Sequence, residues 1–363
     1  MEVTVFGTGY GESIVMHVPG IGWGVIDSCI METDNGSKIV PPLAYLTELQ
    51  TPPENLSFMI LTHPHEDHYM GFDVILKHYT GHISKVCLYA GKGVRELKKY
   101  TAKKTIAGAN MDNLVKVFKA VDIIKNGGAT LRYLSEMTSV FDKRNVLIKD
   151  YGSTDISMTA LSPNAISIDL YTDKLFKAIP EPGLPVHELD DTLHNVISVA
   201  LLLKIGELQI ILGSDLETGT AVHKNGWIGV LSNRDIPLWA NFVKVSHHGS
   251  KNGFHEFAWD EHSSKKKPYA FICPFYYGSN RLPDGEEVGT INKYCESLGI
   301  VSAVQFDDQL NKHYKRDIIQ VFKSCVRNIK VLNKSKTPGL LRIRFDLYGN
   351  ITETRAVAPA VLL

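Results

Sequence analysis

Four side chains that can bind metal ions lie within six residues of the chain: His63, His65, Asp67 and His68. They directly follow the apolar run Ser57–Leu61, which predicts a short buried strand. Neutral imidazole nitrogens and a carboxylate are good ligands for zinc, manganese or iron. In a loop between a strand and a helix, the first two histidines can project to one side, while Asp67 and His68 can face a second ion nearby. Two cations about 4 Å apart can activate a bridging water and hold a substrate oxygen.

The alternative is a chance cluster of histidines on a surface loop, but a buried strand that runs into H-x-H-x-D-H is much more specific than a lone histidine. The motif resembles the hallmark of the metallo-β-lactamase superfamily and matches it without a gap. The resemblance implies an α/β fold class, a four-layer αββα sandwich, with a hydrolytic site at one edge of two packed sheets. It also implies further metal ligands downstream.

The resemblance places one of these ligands at Asp215, in the run ILGSDLE after the predicted strand Gln209–Leu212. In the superfamily an aspartate at this point bridges the two metals and usually follows a glycine. Here Ser214 stands directly before it and Gly213 one position earlier, which is a mild departure from the pattern. The alternative role for Asp215 is the cap of a helix that starts at Leu216.

A second downstream ligand is implied in the run VKVSHHGS, which contains His247 and His248. This run is similar to the subgroup formed by the metallo-β-lactamase domain of the DNA-uptake protein ComEC and its soluble relatives. A histidine at the end of this late strand closes the second metal site, and we favour His247 for that role. His248 then has a catalytic role, as a hydrogen-bond donor to the substrate or as a proton donor.

The sequence leaves open which residue supplies the third histidine of the first metal site. The candidate is His194 in the run DTLHNVIS. The ComEC-like subgroup typically carries asparagines before a serine in this region, and Asn195 and Ser198 match that pattern. His194 is therefore either a ligand or a replacement for another polar residue.

Three more residues are candidates for supporting roles. Asp27 ends the predicted strand GWGVID and matches an aspartate that braces the histidine loop in the subgroup, although it could be a simple turn residue. The run YGSNRLP resembles a late loop near the site. Asn280 or Arg281 in this run could contact a phosphate, since arginine suits that geometry, or the run could be a plain turn.

The amino-acid composition disfavours several classes of function. Lysine plus arginine and aspartate plus glutamate number 39 each in 363 residues, so the formal net charge is zero. This argues against non-specific coating of nucleic acid but leaves room for a nuclease with a local basic groove. Five cysteines without a C-x-x-C argue against a disulfide framework or a cysteine zinc site. We expect a cytoplasmic protein without a membrane segment, because no signal-peptide pattern or long apolar run is visible.

Along the chain, the pattern predicts one metallo-β-lactamase-fold domain over residues 1–363, with a helical insert at about 95–190 and a C-terminal extension from about 300. Helices are predicted at Pro42–Gln50, from about Arg95 to Phe141, and at Gly289–Leu298. Strands are predicted at 2–6, 13–18, Gly22–Asp27, Ser57–Leu61, Val86–Tyr89, Asp155–Leu161, Val196–Ile205, Glu207–Leu212, Phe242–Ser246, Tyr269–Ile272, Arg316–Val321 and Leu340–Tyr348.

The predicted function is metal-dependent hydrolysis with two divalent ions, zinc or manganese. A fold of this kind does not by itself determine whether the substrate is a carbonyl or a phosphoryl compound. The ComEC-like features favour phosphodiesters of DNA or RNA, with Asp67 holding metal and orienting the nucleophile. The alternative is a small-molecule hydrolase acting on a cyclic nucleotide, lactone or thioester, which the neutral net charge favours. A non-catalytic binding module is disfavoured by the intact motif together with Asp215 and His247.

Overall fold

The computed structural model describes most of the chain. The residues described are 1–33, 36–106, 111–179, 186–233, 238–255, 267–277, 280–302 and 338–363. The strand predicted at Arg316–Val321 lies outside these residues.

The strands, in chain order, are β1 (Glu2–Gly7), β2 (Glu12–Val18), β3 (Gly22–Ile26), β4 (Met31–Glu32), β5 (Lys38–Ile39), β6 (Phe58–Leu61), β7 (Lys85–Tyr89), β8 (Thr130–Leu134), β9 (Ser139–Ile148), β10 (Gly152–Ala160), β11 (Leu201–Ile205), β12 (Leu208–Leu212), β13 (Phe242–Lys244), β14 (Tyr269–Ile272), β15 (Phe275–Tyr277), β16 (Asn280–Leu282), β17 (Ser297–Ile300), β18 (Gly339–Phe345), β19 (Ile351–Val357) and β20 (Val361–Leu362). The α-helices are α1 (Pro41–Thr47), α2 (Glu66–Tyr69), α3 (Phe72–His78), α4 (Gly91–Ile106), α5 (Asp112–Asn126), α6 (Ala165–Ala178), α7 (Gly226–Ser232) and α8 (Gly285–Asn292), and 3-10 helices occupy Asp191–Ile197, His247–Gly249 and Lys251–Gly253.

The described strands build two eight-stranded mixed sheets. The first has the order β19-β18-β1-β2-β3-β6-β7-β8 and the second has the order β20-β17-β14-β13-β12-β11-β10-β9. In each sheet a group of antiparallel strands continues into parallel ones: β3, β6, β7 and β8 are parallel in the first sheet, and β12, β13, β14 and β17 in the second. Parallel strands need crossover connections, which helices provide in both halves.

The two sheets pack face to face. Phe58 of β6 contacts Phe141 of β9 with ring centres 5.6 Å apart, and Phe242 of β13 contacts Phe345 of β18 at 6.2 Å. A Cβ on Gly24 of β3 would lie 2.2 Å from the Phe58 ring, so glycine at this position makes room for that ring. The apolar side chains that alternate along the strands thus fill the layer between the two sheets.

The outer faces of both sheets are covered by helices. Alternate residues of the second sheet, such as Leu202 and Ile211, form a separate apolar cluster with Trp227 of α7 and Ile291 of α8. Helices α3, α4 and α5 pack with the first sheet, whose strand β6 is buried on both faces. The layers therefore run helix, sheet, sheet, helix, and the predicted αββα sandwich is confirmed.

The segment predicted as a helical insert differs from that prediction. The helical pattern expected as far as Phe141 ends at Asn126, because Gly127 and Gly128 follow and Gly128 has a φ of 104°. After these glycines β8 pairs with β7, while β9 and β10 extend the second sheet. Helices α4, α5 and α6 of this segment are thus accompanied by strands of both main sheets.

The other predicted elements lie close to the observed ones. The strand expected from Val196 begins only at Leu201, because a 3-10 helix occupies Asp191–Ile197. The helix expected at Gly289–Leu298 is α8, which starts and ends earlier and gives way to β17. Near the C-terminus β18 pairs with β1, so this part of the predicted extension belongs to the first sheet. In the part of the chain described, no helix has the length and apolar character needed to cross a bilayer.

Candidate metal centre

The candidate ligands come from three chain segments that follow the carboxyl ends of strands in both sheets. Strand β6 of the first sheet leads through His63 and His65 into helix α2, which carries Asp67 and His68. Strand β12 of the second sheet leads to Asp215, and neighbouring β13 leads to the pair His247 and His248. Parallel neighbours end at the same edge of a sheet, which is where open α/β sheets bind their ligands. Side chains that are far apart in the sequence therefore meet at one edge of the sandwich.

The structure brings these side chains into two groups that share Asp215. One group contains Asp67, His68, Asp215 and His248, and the other contains His63, His65 and Asp215. Within each group, one nitrogen or carboxylate oxygen of every residue lies within 4.8 Å of the others. A buried carboxylate between two groups of candidate ligands is suited to a centre with two cations.

The shared carboxylate joins the two sheets through short contacts. Oδ1 of Asp215 lies 3.2 Å from Nε2 of His68, and Oδ2 lies 3.3 Å from Nε2 of His248. Nε2 of His63 lies 3.9 Å from Oδ2 of Asp215. The predicted helix-capping role of Asp215 is not seen, because no helix begins at Leu216.

Asp67 faces the same space from the first sheet. Its Oδ2 lies 3.0 Å from Nε2 of His248, and its Oδ1 lies 3.1 Å from Nδ1 of His65. Neither carboxylate oxygen of Asp67 has a hydrogen-bond partner within the described part of the chain, and neither do His63 Nε2, His65 Nδ1 and His68 Nε2. Buried polar atoms of this kind are rare unless something binds them. Imidazole nitrogens and carboxylate oxygens suit zinc, manganese or iron, so the residues present fit a pair of such cations.

The carboxylates make this site strongly attractive to positive charge. Burial by itself lowers the pKa of His68, but Asp215, Asp67 and Asp27 raise it well above the usual value. Burial by itself also lowers the pKa of His248, but the carboxylates of Asp215 and Asp67 raise it to about 10. Burial lowers the pKa of His63 well below its usual value, and His68 adds to this effect. The carboxylates thus stabilise a cation beside them, whether it is a proton on an imidazole or a metal ion.

Asp27 is buried directly behind the ring of His68. Its Oδ2 lies 2.8 Å from Nδ1 of His68 and accepts a hydrogen bond of 2.7 Å from the hydroxyl of Thr62, while its Oδ1 accepts one of 2.8 Å from the Thr62 amide. Its φ of 57° turns the chain sharply after β3. A carboxylate behind a ligating histidine fixes the orientation of the ring and raises its basicity.

The structure places His248, and not the favoured His247, beside the other candidate metal ligands. Both residues have positive φ, 45° and 56°, so the backbone turns between them and the two rings diverge. Nε2 of His247 lies 3.1 Å from Nδ2 of Asn195, and Nδ1 lies 3.0 Å from Oδ1 of Asn252. His248 takes the place beside Asp67 and Asp215. Its Nδ1 donates to the carbonyl of Cys273 at 3.0 Å, and its role as a proton donor stays a prediction.

His194 lies beside the group of His63, His65 and Asp215 but not within it. Its Nδ1 is 3.0 Å from the hydroxyl of Tyr171, and its ring centre is 6.3 Å from that of His65. Burial, with a contribution from His65, lowers the pKa of His194 to about 3, so the ring is neutral at pH 7. A neutral ring beside His65 is compatible with ligation, and that role stays a prediction.

Aromatic side chains line one side of the centre, and sequence reasoning missed them. The ring of Phe275 lies 5.0 Å from that of His248, Tyr10 lies 5.5 Å from Phe275, and Tyr277 lies 4.9 Å from Tyr10. Tyr277 is 64% exposed, so these rings lead from the buried histidine to the surface. We call Tyr10, Phe275 and Tyr277 the aromatic rim. The run FYY, whose last tyrosine is the first residue of the YGSNRLP run, was the signal available in the sequence.

Asn280 and Arg281 lie on β16, opposite the aromatic strand β15. Both are exposed, and Asn280 pairs with Tyr277 while Arg281 pairs with Tyr276 across the hairpin. The guanidinium of Arg281 lies 5.8 Å from the centre of the Tyr276 ring. The structure therefore places both residues beside the aromatic rim, and their contact with a substrate phosphate stays a prediction.

Comparisons with known proteins give a limited result. No family model matches the chain, and no curated protein matches it. Among solved structures, the chain is similar to zinc-bound PqqB from Methylobacterium extorquens, with 10% identity and a TM-score of 0.33 over 67% of this chain and 71% of that one. It is also similar to the short form of human tRNase Z, with 12% identity and a TM-score of 0.34 over 67% of this chain and 76% of that one. Similarity at this level assigns no substrate and no activity.

Proposed function

We propose that this chain is a hydrolase that uses two divalent cations, zinc or manganese, to cleave phosphodiester bonds of DNA or RNA. The observation that carries the proposal is the buried carboxylate of Asp215, which belongs to both groups of candidate ligands and lies 3.2 Å from Nε2 of His68 and 3.3 Å from Nε2 of His248.

The chain's own residues have separate roles in this proposal. Asp67, His68, Asp215 and His248 would hold one cation, and His63, His65 and Asp215 the other, with His194 as a further candidate ligand. The chemistry that such cations supply is the activation of water and the neutralisation of charge on substrate oxygens. Asp67 also has a second role, because its oxygens face both His65 and His248. It lies between the two groups and can orient the attacking nucleophile.

The surroundings of the centre favour a phosphodiester with a flat ring attached. The aromatic rim begins in contact with His248 and ends at exposed Tyr277, and nucleobases stack on side chains of this type. Arg281 next to the rim offers a planar cation that suits a phosphate. The neutral net charge is compatible with a short contact of this kind rather than with a long basic groove.

A direct test is to incubate the metal-stripped protein with single-stranded and double-stranded DNA and RNA, after adding manganese, zinc or magnesium in turn. We expect cleavage with at least one metal and loss of that cleavage in Asp67→Ala. Asp169→Ala is a suitable control, because Asp169 is an exposed aspartate of α6 paired with Lys92. Metal binding without cleavage of any nucleic acid would contradict the nuclease proposal.

The second candidate function is hydrolysis of a small molecule, and the neutral net charge is the observation that favours it. Cyclic nucleotides, lactones and thioesters are the substrates to compare. The same metal-loaded protein and the same Asp67→Ala variant serve for this comparison. Hydrolysis of one of these compounds, with no cleavage of DNA or RNA, would select this alternative.

A further inference from the structure

The two groups of candidate ligands stand in different electrostatic surroundings. We propose that the position formed by Asp67, His68, Asp215 and His248 binds its cation first and more tightly, because the buried carboxylates of Asp27 and Glu12 stand behind its two histidines. This inference rests on the proposed two-cation centre. It assigns positioning roles to Glu12 and to its partner Lys244.

Glu12 and Lys244 form a buried ion pair between the two sheets. Glu12 lies on β2 of the first sheet and Lys244 on β13 of the second, and Nζ of Lys244 donates to Oε1 of Glu12 at 2.6 Å and to the carbonyl of Val245 at 2.9 Å. Lys244 is fully buried. Burial lowers its pKa, but Glu12 raises it above the usual value, so the amine of Lys244 is charged. A buried ion pair adds little net stability compared with an apolar pair, so a role other than stability is expected of it.

The free oxygen of this pair faces the metal centre. Oε2 of Glu12 is buried, lacks a hydrogen-bond partner among the described residues, and lies 3.5 Å from Nδ1 of His248. The same imidazole directs its Nε2 at Asp67 and Asp215. Glu12 therefore places a carboxylate beside His248, 3.5 Å from the Nδ1 that donates to the Cys273 carbonyl, whereas Asp27 lies 2.8 Å from Nδ1 of His68. Lys244 fixes the other oxygen of Glu12 and compensates the charge of its carboxylate.

The other position has neutral groups behind its histidine. Nδ1 of His63 lies 3.1 Å from the hydroxyl of Thr62 and 3.5 Å from that of Ser214. The side chain of His65 is 26% exposed, whereas those of His68 and His248 are almost fully buried. This position also has one carboxylate, the shared Asp215, where the first position has both Asp67 and Asp215.

These differences all favour tighter cation binding at the position of Asp67, His68, Asp215 and His248. A carboxylate behind a ligating histidine raises the basicity of the ring, and removing such a group typically weakens metal binding by about 10–100-fold. The carboxylate of Asp27 behind His68, the charge of Glu12 beside His248 and an additional ligating carboxylate make the Asp67, His68 and His248 position the more attractive one for a divalent cation. The exposed His65 position is left as the weaker one, which exchanges its ion more easily.

The test is calorimetric titration of metal-stripped full-length protein with zinc, in wild type, Glu12→Gln and Glu2→Gln. Glu2 is a matched control, since it is another buried glutamate of the same hairpin, paired with Arg344 and Tyr45 away from the ligands. We expect two binding events in wild type that differ at least tenfold in affinity. Glu12→Gln should weaken the tighter event by about 10–100-fold and leave the weaker one within twofold. Glu2→Gln should change neither.

A second variant separates positioning from stability. Glu12→Gln leaves Lys244 buried without its partner, so the double variant Glu12→Gln with Lys244→Met removes both charges and should regain thermal stability. The weakened tight event should persist in it, because the carboxylate behind His248 is still missing. Recovery of the tight event in the double variant would show a purely structural role and overturn the inference.

The location of the first ion completes the test. Anomalous diffraction from crystals with one equivalent of zinc should show the ion beside Asp67, His68 and His248. Equal occupancy of both positions, an ion beside His63 and His65, or equal affinities in solution would overturn the inference. Two bound ions of unequal affinity without hydrolysis of any phosphodiester would overturn the proposed function alone, while absence of zinc binding would overturn both.

Discussion

Oδ1 of Asp215 lies 3.2 Å from Nε2 of His68, across the boundary between the two sheets. Asp215 follows β12 of the second sheet, and His68 is presented by helix α2 after β6 of the first. The centre therefore depends on how the sheets pack against each other. A change in either sheet that shifts one strand end alters the spacing of the ligands.

The first prediction concerns the shared carboxylate. Asp215→Asn removes the charge that both cation positions use, so metal-dependent hydrolysis should fall by on the order of 1,000-fold, which corresponds to the several kcal/mol that a metal centre contributes to catalysis. Rates of phosphodiester hydrolysis at saturating metal measure this. Asp169→Asn, a change at an exposed aspartate, should keep the wild-type rate. A rate within tenfold of wild type in Asp215→Asn would show that Asp215 does not bridge the cations.

The adjacent histidines provide a second prediction. His248→Ala should abolish one of the two zinc-binding events, because its Nε2 lies beside Asp67 and Asp215. His247→Ala should keep both, since its ring nitrogens lie beside Asn195 and Asn252. Zinc titration of the two variants side by side makes the comparison. The reverse result would restore His247 as the ligand favoured by the sequence.

A third prediction links the fold to the centre through Gly213. A Cβ on Gly213 would lie 2.1 Å from Oγ of Ser246 and 2.9 Å from the carbonyl of Lys244, so the ends of β12 and β13 would have to separate. Gly213→Ala should lower the free energy of unfolding by about 1–3 kcal/mol and weaken metal binding. Chemical denaturation and zinc titration measure the two effects.

The matched control for Gly213 is Gly289→Ala. Gly289 lies inside α8, and a Cβ there would meet nothing within 4 Å among the described residues. Alanine should stabilise the helix by up to about 1 kcal/mol and leave metal binding unchanged. Equal losses of stability in Gly213→Ala and Gly289→Ala would show that the close approach of β12 and β13 is not the reason why position 213 needs glycine.

The raised pKa of His248 leads to a fourth prediction. Because Asp215 and Asp67 raise it to about 10 against the effect of burial, the ring is protonated at pH 7 and a cation must displace that proton. Zinc affinity should therefore rise as the pH increases from 6 to 8, by about tenfold per pH unit for each proton displaced. Calorimetry in two buffers with different ionisation enthalpies measures the protons released. An affinity that does not change over this range would contradict the prediction.

A fifth prediction concerns the aromatic rim. Tyr277→Leu should weaken the binding of single-stranded oligonucleotides by about 1–3 kcal/mol, the amount that one stacked base contributes. Tyr348→Leu is the matched control, because Tyr348 is also 64% exposed but lies in the turn between β18 and β19. Fluorescence anisotropy with labelled oligonucleotides measures both. Equal affinity of the two variants would remove the rim from substrate binding.

Much of this architecture could be predicted from local sequence signals. The alternation of β1, β2 and β3 and the apolar run of β6 depend on nearby residues, and the histidine motif directly follows β6. Strands β8 and β9 could not be predicted in the same way, because several of their residues are exposed and they are stabilised by pairing with β7 and β10. Pairing with a distant strand leaves little trace in local periodicity.

In the candidate centre too, some residues could be predicted from the local sequence and others could not. The motif points to His63, His65, Asp67 and His68 by itself, since these candidate ligands are close in the chain. The choice between His247 and His248 depends on two positive φ values, which no pattern of residue types specifies. Glu12 and Lys244 were missed because each belongs to a strand in a different sheet, and only the packing of the sheets makes them neighbours.

Two cations share Asp215 in the proposed centre, so the number of metal ions bound per chain is the decisive measurement. Native mass spectrometry of the metal-stripped protein after reconstitution with zinc measures that number. We predict two zinc ions per wild-type chain. A chain that binds one ion or none at saturating zinc would contradict the two-cation centre.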